Sequence, residues 1–571
     1  MKNILCFYGS HNSSATFVDK NDRVRVIELE RHTKKRHAAF AKGLEDRLFG
    51  ITDEQRKNFL EYISNTIHDP EKIDQIMFQE LTRSDGNLIS KYFPNAKFFG
   101  MNHHPAHAFC GQFQSGFDAS IIFSIDGGGI DDGKTLYTKT FLADGHEMME
   151  LGTSDVNYGG SYQVIGKYIS EIKKKYNDAS HGDELSWAGK IMGLCAYGKV
   201  REEWVDCITE YYLTDKRTRI RGEVTDQPTP DGLWTCLVDV IFKKMYNEKL
   251  FPEKEKRLCP TDEPNSPLWG PEENCLSEQE SYDLAATSQF VFEKCLFEMM
   301  KPVIDEHPER DVILVGGCAL NVLYNQKLYE YISENFPGRK LYIPPNPDDG
   351  GLSLGYFFSH EDCTGLRGKD FVYEGIELLD RDDLQSHVKE RNAKEVTTEE
   401  IVDIIKRGEI VGLVYGDSEI GPRALGNRSI ICDPSFENMK DILNKKVKFR
   451  EWYRPFAPVC LLEDADTYFH NVFESNYMSF APKVKEEYHE QLKSITHVDG
   501  TSRLQTVSEN GHKVFTDILN ELKNRDEIPV ILNTSFNIRG FPILTTIEDA
   551  LHVLDNTELD HVVVEGYIFS K

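Results

Sequence analysis

Ala119-Ser120-Ile121-Ile122-Phe123-Ser124-Ile125-Asp126-Gly127-Gly128-Gly129 decides the fold class. A charge-free run enters an aspartate followed by glycines, the pattern of a strand buried on both faces that ends in a turn. Asp311-Val312-Ile313-Leu314-Val315 does the same into Gly316-Gly317. Two such strands with helical stretches around them predict an α/β core that holds a ligand at its strand ends. Upstream, Ile4–Tyr8, Ser14–Val18 and Val24–Glu28 read as short strands joined by turns. Thr52-Asp53-Glu54 reads as the capped start of a helix running towards Ile67. The recurring strand and glycine turn suggests two related halves, although their similarity does not amount to a sequence repeat.

Beyond Ser359–Lys369, further apolar strands at Ile410–Tyr415 and Pro529–Leu532 imply another α/β unit. The expected division is therefore residues 1–360 and 370–571. Proline-rich Phe251–Asn274 reads as a surface insertion, because the core pattern resumes over Tyr282–Met300.

The 571 residues are enough for several cores. The balance of 94 acidic against 66 Lys and Arg residues gives a formal charge of −28, which disfavours nonspecific nucleic-acid binding. No apolar run approaches a membrane span, and the first residues read as a strand and not as a signal core. Twelve cysteines without CxxC spacing read as reduced, mostly buried thiols. The expectation is a cytoplasmic protein with no membrane or direct nucleic-acid partner, its oligomeric state open between monomer and homodimer.

Asn102-His103-His104-Pro105-Ala106-His107-Ala108 places His103 and His107 four residues apart, on one face of a helix that Pro105 restricts to its first turn. Alone, this pair is more simply a helix cap and a core histidine. Asp126 at a buried strand end and Asp349 in Pro347-Asp348-Asp349-Gly350-Gly351 change the balance, because a buried carboxylate needs a proton, a partner or a cation. Two imidazoles and two carboxylates suit a borderline divalent metal, with iron(II), manganese and zinc all open. Turns expected at Asp126–Gly129, Gly189-Lys190 and Gly316–Asn321 offer backbone N–H groups to phosphate, as in nucleotide clefts of the actin and sugar-kinase type. GxxxxGK[ST] is absent, which excludes a P-loop. In an acidic chain, Gly421-Pro422-Arg423-Ala424-Leu425-Gly426-Asn427-Arg428-Ser429 and Lys448-Phe449-Arg450-Glu451-Trp452-Tyr453-Arg454-Pro455 concentrate cations among residues that do not suit an exposed helix. With Arg503 and Asn533-Thr534-Ser535, they read as a pocket for a phosphate or acyl phosphate.

These motifs, together with His11-Asn12-Ser13-Ser14-Ala15, Glu30–His37, Ala188–Leu194 and Leu532–Asn537, resemble those of the O-carbamoyltransferases of antibiotic tailoring and nodulation-factor synthesis, almost end to end. The resemblance implies an actin-like ATPase N-terminal domain of duplicated α/β design, followed by a YrdC-like α/β C-terminal domain. It implies that the C-terminal domain makes carbamoyl-adenylate and pyrophosphate from carbamoyl phosphate and ATP with Mg, and that the N-terminal domain passes the carbamoyl group to a hydroxyl of a small-molecule acceptor near iron(II) or another divalent metal. By motif, His103, His107, Asp126 and Asp349 would ligate the metal, and His11 would serve as general base at the acceptor hydroxyl. Gly127, Gly128, Lys190, Gly317 and Asn321 would hold the nucleotide. Arg423 and Arg428 would act on carbamoyl phosphate and ATP in a site lined by Lys448, Arg450, Arg454, Arg503, Asn533 and Ser535.

Three positions depart from the family pattern. Asn12 stands for an aspartate, Asp417 for a basic residue and Phe541 for a glutamate. Alternatives from the same scaffold are a threonylcarbamoyl transferase acting on tRNA, a sugar kinase releasing ADP instead of AMP, and a non-catalytic nucleotide-binding interaction protein.

Overall fold

The fold was obtained as a computed structural model, which describes residues 2–42, 49–166, 169–173, 185–213 and 277–571. The stretch Phe251–Asn274 lies outside the described residues.

Strands β1 (Ile4–Tyr8), β2 (Ser14–Val18) and β3 (Val24–Glu28) form an antiparallel meander. Strands β4 (Gln75–Gln79) and β5 (Lys97–Gly100) add in parallel on the other side of β1, giving the order β3-β2-β1-β4-β5. A second sheet repeats the plan. Its meander is β6 (Ala119–Asp131), β7 (Lys134–Asp144) and β8 (Glu147–Ser154), and β9 (Asp311–Val315) and β10 (Leu341–Tyr342) extend it in parallel beyond β6. The two halves suggested by the glycine pattern are one topology used twice.

The fifth strand of each half is followed by a helix that packs on the other half. His103–Ser115 follows β5 and sets Ala108 against Ile122, Ile313 and Val315 of the second sheet. Leu352–Phe358 follows β10 and joins Ile4, Cys6 and Tyr8 of the first. The two helices cross where Gly355 meets Ala106, so closely that a Cβ on Gly355 would lie 2.0 Å from the Ala106 carbonyl oxygen.

A third, eight-stranded sheet comprises β11 (Lys394–Glu395), β12 (Val411–Val414), β13 (Arg428–Cys432), β14 (Ala457–Leu461), β15 (Gln505–Val507), β16 (Val530–Ser535), β17 (His561–Val564) and β18 (Tyr567–Ser570). Their order is β11-β18-β17-β12-β13-β16-β14-β15. Helices Thr398–Lys406 and Lys513–Asn524 cover one face, with Val411, Leu413 and Ile431 beneath them. Helix Ile547–Asn556 covers the other, over Val414, Ile430 and Val562. Burial of both faces explains why these strands read as unbroken apolar runs.

Two local expectations are corrected. Asp126–Gly129 does not end its strand in a turn: β6 runs through the glycines to Asp131, with a register shift against β7 between Ile125 and Gly129. Glycine marks a bulge as readily as a turn. Gly189 and Lys190 lie inside the helix Trp187–Leu194 and not in a turn.

β3 joins the third-sheet unit through charge. Asp417 accepts from Arg25 at 2.9 Å and pairs with Arg23 at 2.7 Å, while the Val26 N–H donates to the Glu374 carbonyl at 2.8 Å. Asp417 therefore serves an ion-paired junction between the two units. Because Arg25 is only 5% exposed, Asp417→Ala removes the main partner of a buried cation. The expected cost is about 3 kcal/mol, read as a lower denaturant midpoint at unchanged slope. A loss within error of zero would refute the assignment.

Candidate functional site

The crossing helices and the bulged strand bring four side chains to one point. His103 and His107 leave one face of the first turns of His103–Ser115, their Nε2 atoms 3.1 Å apart. Asp349 begins the short turn Asp349–Gly351 before the partner helix, with Oδ1 3.5 Å from both Nε2 atoms. Asp126 Oδ2 lies 3.5 Å from His107 Nε2 and accepts the Gly317 N–H at 2.6 Å. One donor atom from each of the four residues lies within 4.8 Å of all the others, and all four residues are buried.

Neighbouring residues hold this cluster in shape. Asp131, five residues along β6 from Asp126, accepts the His103 N–H at 2.6 Å and the His104 N–H at 3.1 Å, capping the helix that carries both imidazoles. Gly129 has to be glycine, since a Cβ there would lie 2.2 Å from the His103 ring. Tyr8 at the end of β1 donates its hydroxyl to Asp349 Oδ2 at 2.6 Å.

Burial lowers the His103 imidazole to about 4 and keeps it neutral. Burial acts the same way on His107, but hydrogen bonds to Asp126 and Asp349 outweigh it and lift that imidazole to about 9. Burial alone would raise Asp126; the hydrogen bond and charge of His107 hold it well below the usual carboxylate range. Two imidazole nitrogens converging with two carboxylate oxygens, all withdrawn from water, fit a borderline divalent cation.

A cavity of about 860 Å³ opens on this cluster and runs between the duplicated half and the third-sheet unit. Asp126, Asp349, Gly127, Gly128, Gly317, Asn321, Lys190 and His11 line one part. His11 Nδ1 sits 3.5 Å from Asp349 Oδ2, and the imidazole is one-third exposed to the cavity. Asn12 adopts φ 57°, where asparagine is among the few tolerated residues, and its Oδ1 meets His37 Nδ1 at 2.7 Å. Asn321 reaches the lining, yet its side-chain amide pairs reciprocally with Gln289 and caps the helix Val322–Asn335.

Cations line the other part: Arg423, Lys448, Arg450, Arg454 and Arg503, with Ser535 between strand and loop. Burial and the charge of Arg454 pull Arg423 down to about 10. Burial and the neighbouring arginines drive Arg450, Arg503 and Lys448 well below their ordinary values. Arg503 Nε is buried without a hydrogen-bond partner. Like charges packed this way repel one another, and a bound anion would relieve that repulsion.

The loop bearing Arg423 is folded around Glu419, whose Oε1 accepts the N–H groups of Leu425, Asn427 and Arg428 at 2.7, 2.9 and 3.1 Å. It docks on the duplicated half through Gly421, whose N–H donates to Glu28 at 3.2 Å and whose carbonyl accepts from Arg31 at 2.7 Å. Two residues expected in the pocket instead fasten this loop. Arg428 is fully buried and donates to the carbonyls of Tyr415, Asn427 and Gly416 at 2.6, 2.9 and 3.0 Å. Asn533 donates to the Ala424 carbonyl at 3.0 Å and to Gln505 at 2.9 Å. Neither lines the cavity.

The sequence reading missed Glu28, Arg31, His497 and Arg539 on the lining, and Tyr8 behind it. Only Arg31, within Glu30–His37, belonged to one of the stretches that carry the family resemblance. Phe541 stands half exposed on the lining, an apolar ring where the family pattern has a charge.

The profile described as Carbamoyltransferase N-terminus matches residues 53–356, and that described as Carbamoyltransferase C-terminus matches residues 402–571. The chain is 28% identical over 493 residues to nodulation protein NolO of Bradyrhizobium diazoefficiens, covering 82% of this chain and 79% of that one. It is 31% identical over 485 residues to nodulation protein NolNO of Sinorhizobium fredii, covering 82% and 64% respectively. A solved structure of full-length HypF in the phosphate- and nucleotide-bound form aligns at 13% identity over 63% of this chain, with a TM-score of 0.34. The chain spans about half of that structure's length, 55%.

Proposed function

The chain belongs to the carbamoyltransferase family, and from that premise we propose that it activates carbamoyl phosphate with ATP and transfers the carbamoyl group to a hydroxyl of a small-molecule acceptor. The observation that carries this reading is one cavity joining a cluster in which cations outnumber carboxylates to a histidine–carboxylate cluster flanked by a part-exposed imidazole.

At the cationic end, Arg423, Arg450, Arg454, Arg503 and Lys448 bind the phosphates, and their charge offsets the negative charge gathered there. Adenylation needs a carboxylate oxygen, so carbamoyl phosphate first yields carbamate and phosphate to a water molecule. The carbamate oxygen then attacks the α-phosphorus of ATP, a P–O bond forms and pyrophosphate leaves. The product, carbamoyl-adenylate, is a mixed anhydride with AMP as a good leaving group.

At the other end, Gly127, Gly128, Gly317 and Lys190 hold the nucleotide portion. His103, His107, Asp126 and Asp349 would hold iron(II) or another divalent metal, which when bound supplies Lewis acidity at the carbamoyl oxygen. His11 sits with Nδ1 towards Asp349, leaving Nε2 to take the acceptor hydroxyl proton. The hydroxyl oxygen bonds to the carbamoyl carbon, the bond to the phosphate oxygen breaks, and AMP departs.

Incubation with ATP, Mg and carbamoyl phosphate, without acceptor, tests the first half. Mass spectrometry is expected to find carbamoyl-adenylate together with pyrophosphate. ADP as the nucleotide product, or no nucleotide turnover at all, would refute the proposal and favour a kinase or a binding protein.

A further inference from the structure

We propose that Tyr8 is a positioning residue that divides the two oxygens of Asp349, holding Oδ2 so that Oδ1 alone is offered to a divalent cation. This rests on the metal reading of the preceding section.

A carboxylate can bind a cation through one oxygen or both, and nothing in Asp349 itself chooses. Its surroundings do. Oδ1 faces the two imidazoles at 3.5 Å each. Oδ2 points away from them, accepts the Tyr8 hydroxyl at 2.6 Å, and lies 3.5 Å from His11 Nδ1. The hydroxyl contact falls in the short range of charge-assisted O–H···O⁻ bonds. Tyr8 is in turn closely packed. It ends β1, a strand flanked by β2 and β4, is 2% exposed, and sets its ring edge-on to His103 at 6.1 Å.

One hydroxyl thus fixes three things: the orientation of the carboxylate, the number of oxygens it gives a cation, and the acceptor that His11 Nδ1 faces. Outer-layer partners of this kind typically change metal affinity about 10–100-fold when removed.

Full-length protein, stripped with chelator and titrated with Mn(II) and Co(II), provides the test. Tyr8→Phe removes one oxygen and keeps the ring, and the melting temperature of the stripped protein reports whether the fold is intact. The expected result is Mn(II) affinity weakened about 10–100-fold, an altered Co(II) visible spectrum as Asp349 rearranges, and a melting temperature close to that of the unsubstituted protein. Unchanged affinity and spectrum would overturn the proposal, as would a lowered melting temperature alone, which marks a purely structural hydroxyl. Absence of Mn(II) and Co(II) binding by the unsubstituted protein would instead refute the metal reading and take this proposal with it.

Discussion

Arg423→Ala is expected to reduce acceptor-free carbamoyl-adenylate formation by about 10³-fold or more, the scale on which arginines act at transferring phosphoryl groups. Arg423 lines the cavity beside Arg454 and Arg503, in a group whose members suppress one another's charge. That crowding is costly until an anion arrives. The same substitution should therefore leave the ligand-free protein as stable as before or slightly more stable, because it removes a half-buried cation held down to about 10 beside like charges. Pyrophosphate should raise the melting temperature of the unsubstituted protein, and do so much less in the variant. Arg423→Lys keeps a charge but not the two-pronged geometry, and should fall between them. A marked loss of ligand-free stability with retained adenylate formation would show that Arg423 is structural.

His107→Ala should produce the complementary defect. Metal content, measured after loading and desalting, should drop to background, because His107 is the imidazole that both Asp126 and Asp349 approach at 3.5 Å. Transfer to an acceptor should fall by about 10³-fold, the equivalent of several kcal/mol of transition-state stabilisation. Carbamoyl-adenylate should still form, since the cationic end draws none of its residues from this cluster. If His107→Ala abolished both half-reactions while remaining folded, the division of labour between the ends of the cavity would be wrong.

The fold was legible where burial writes itself into the chain. β1, β2 and β3 occupy the predicted residues because apolar alternation and short turns leave little freedom. The His103, His107, Asp126 and Asp349 grouping was legible because a helix repeat and two costly carboxylates pointed to the same need. The helix around Lys190 was not, since Gly189 and Gly193 look like turn residues; Gly193 sits in a helix that packs near Tyr453 and Pro455. Nor does sequence alone say which arginine faces a cavity. Arg423 and Arg428 share one motif, yet β13 begins at Arg428 and turns its guanidinium onto backbone carbonyls. Tyr8 was invisible for another reason. It completes an apolar strand, and its partner Asp349 lies 341 residues further on.

The twofold reuse of one sheet plan has a kinetic side. Each half lends its trailing helix to the other, and the four donors are drawn from both sides of the seam: the His103–Ser115 helix start, the bulge of β6, and the turn opening Leu352–Phe358. Splaying the halves apart would dismantle the donor set. A divalent ion bound there would therefore act as a staple across the seam, resisting the opening of the two halves. Stripping that ion with a chelator would then loosen the seam, read as faster amide hydrogen exchange along it.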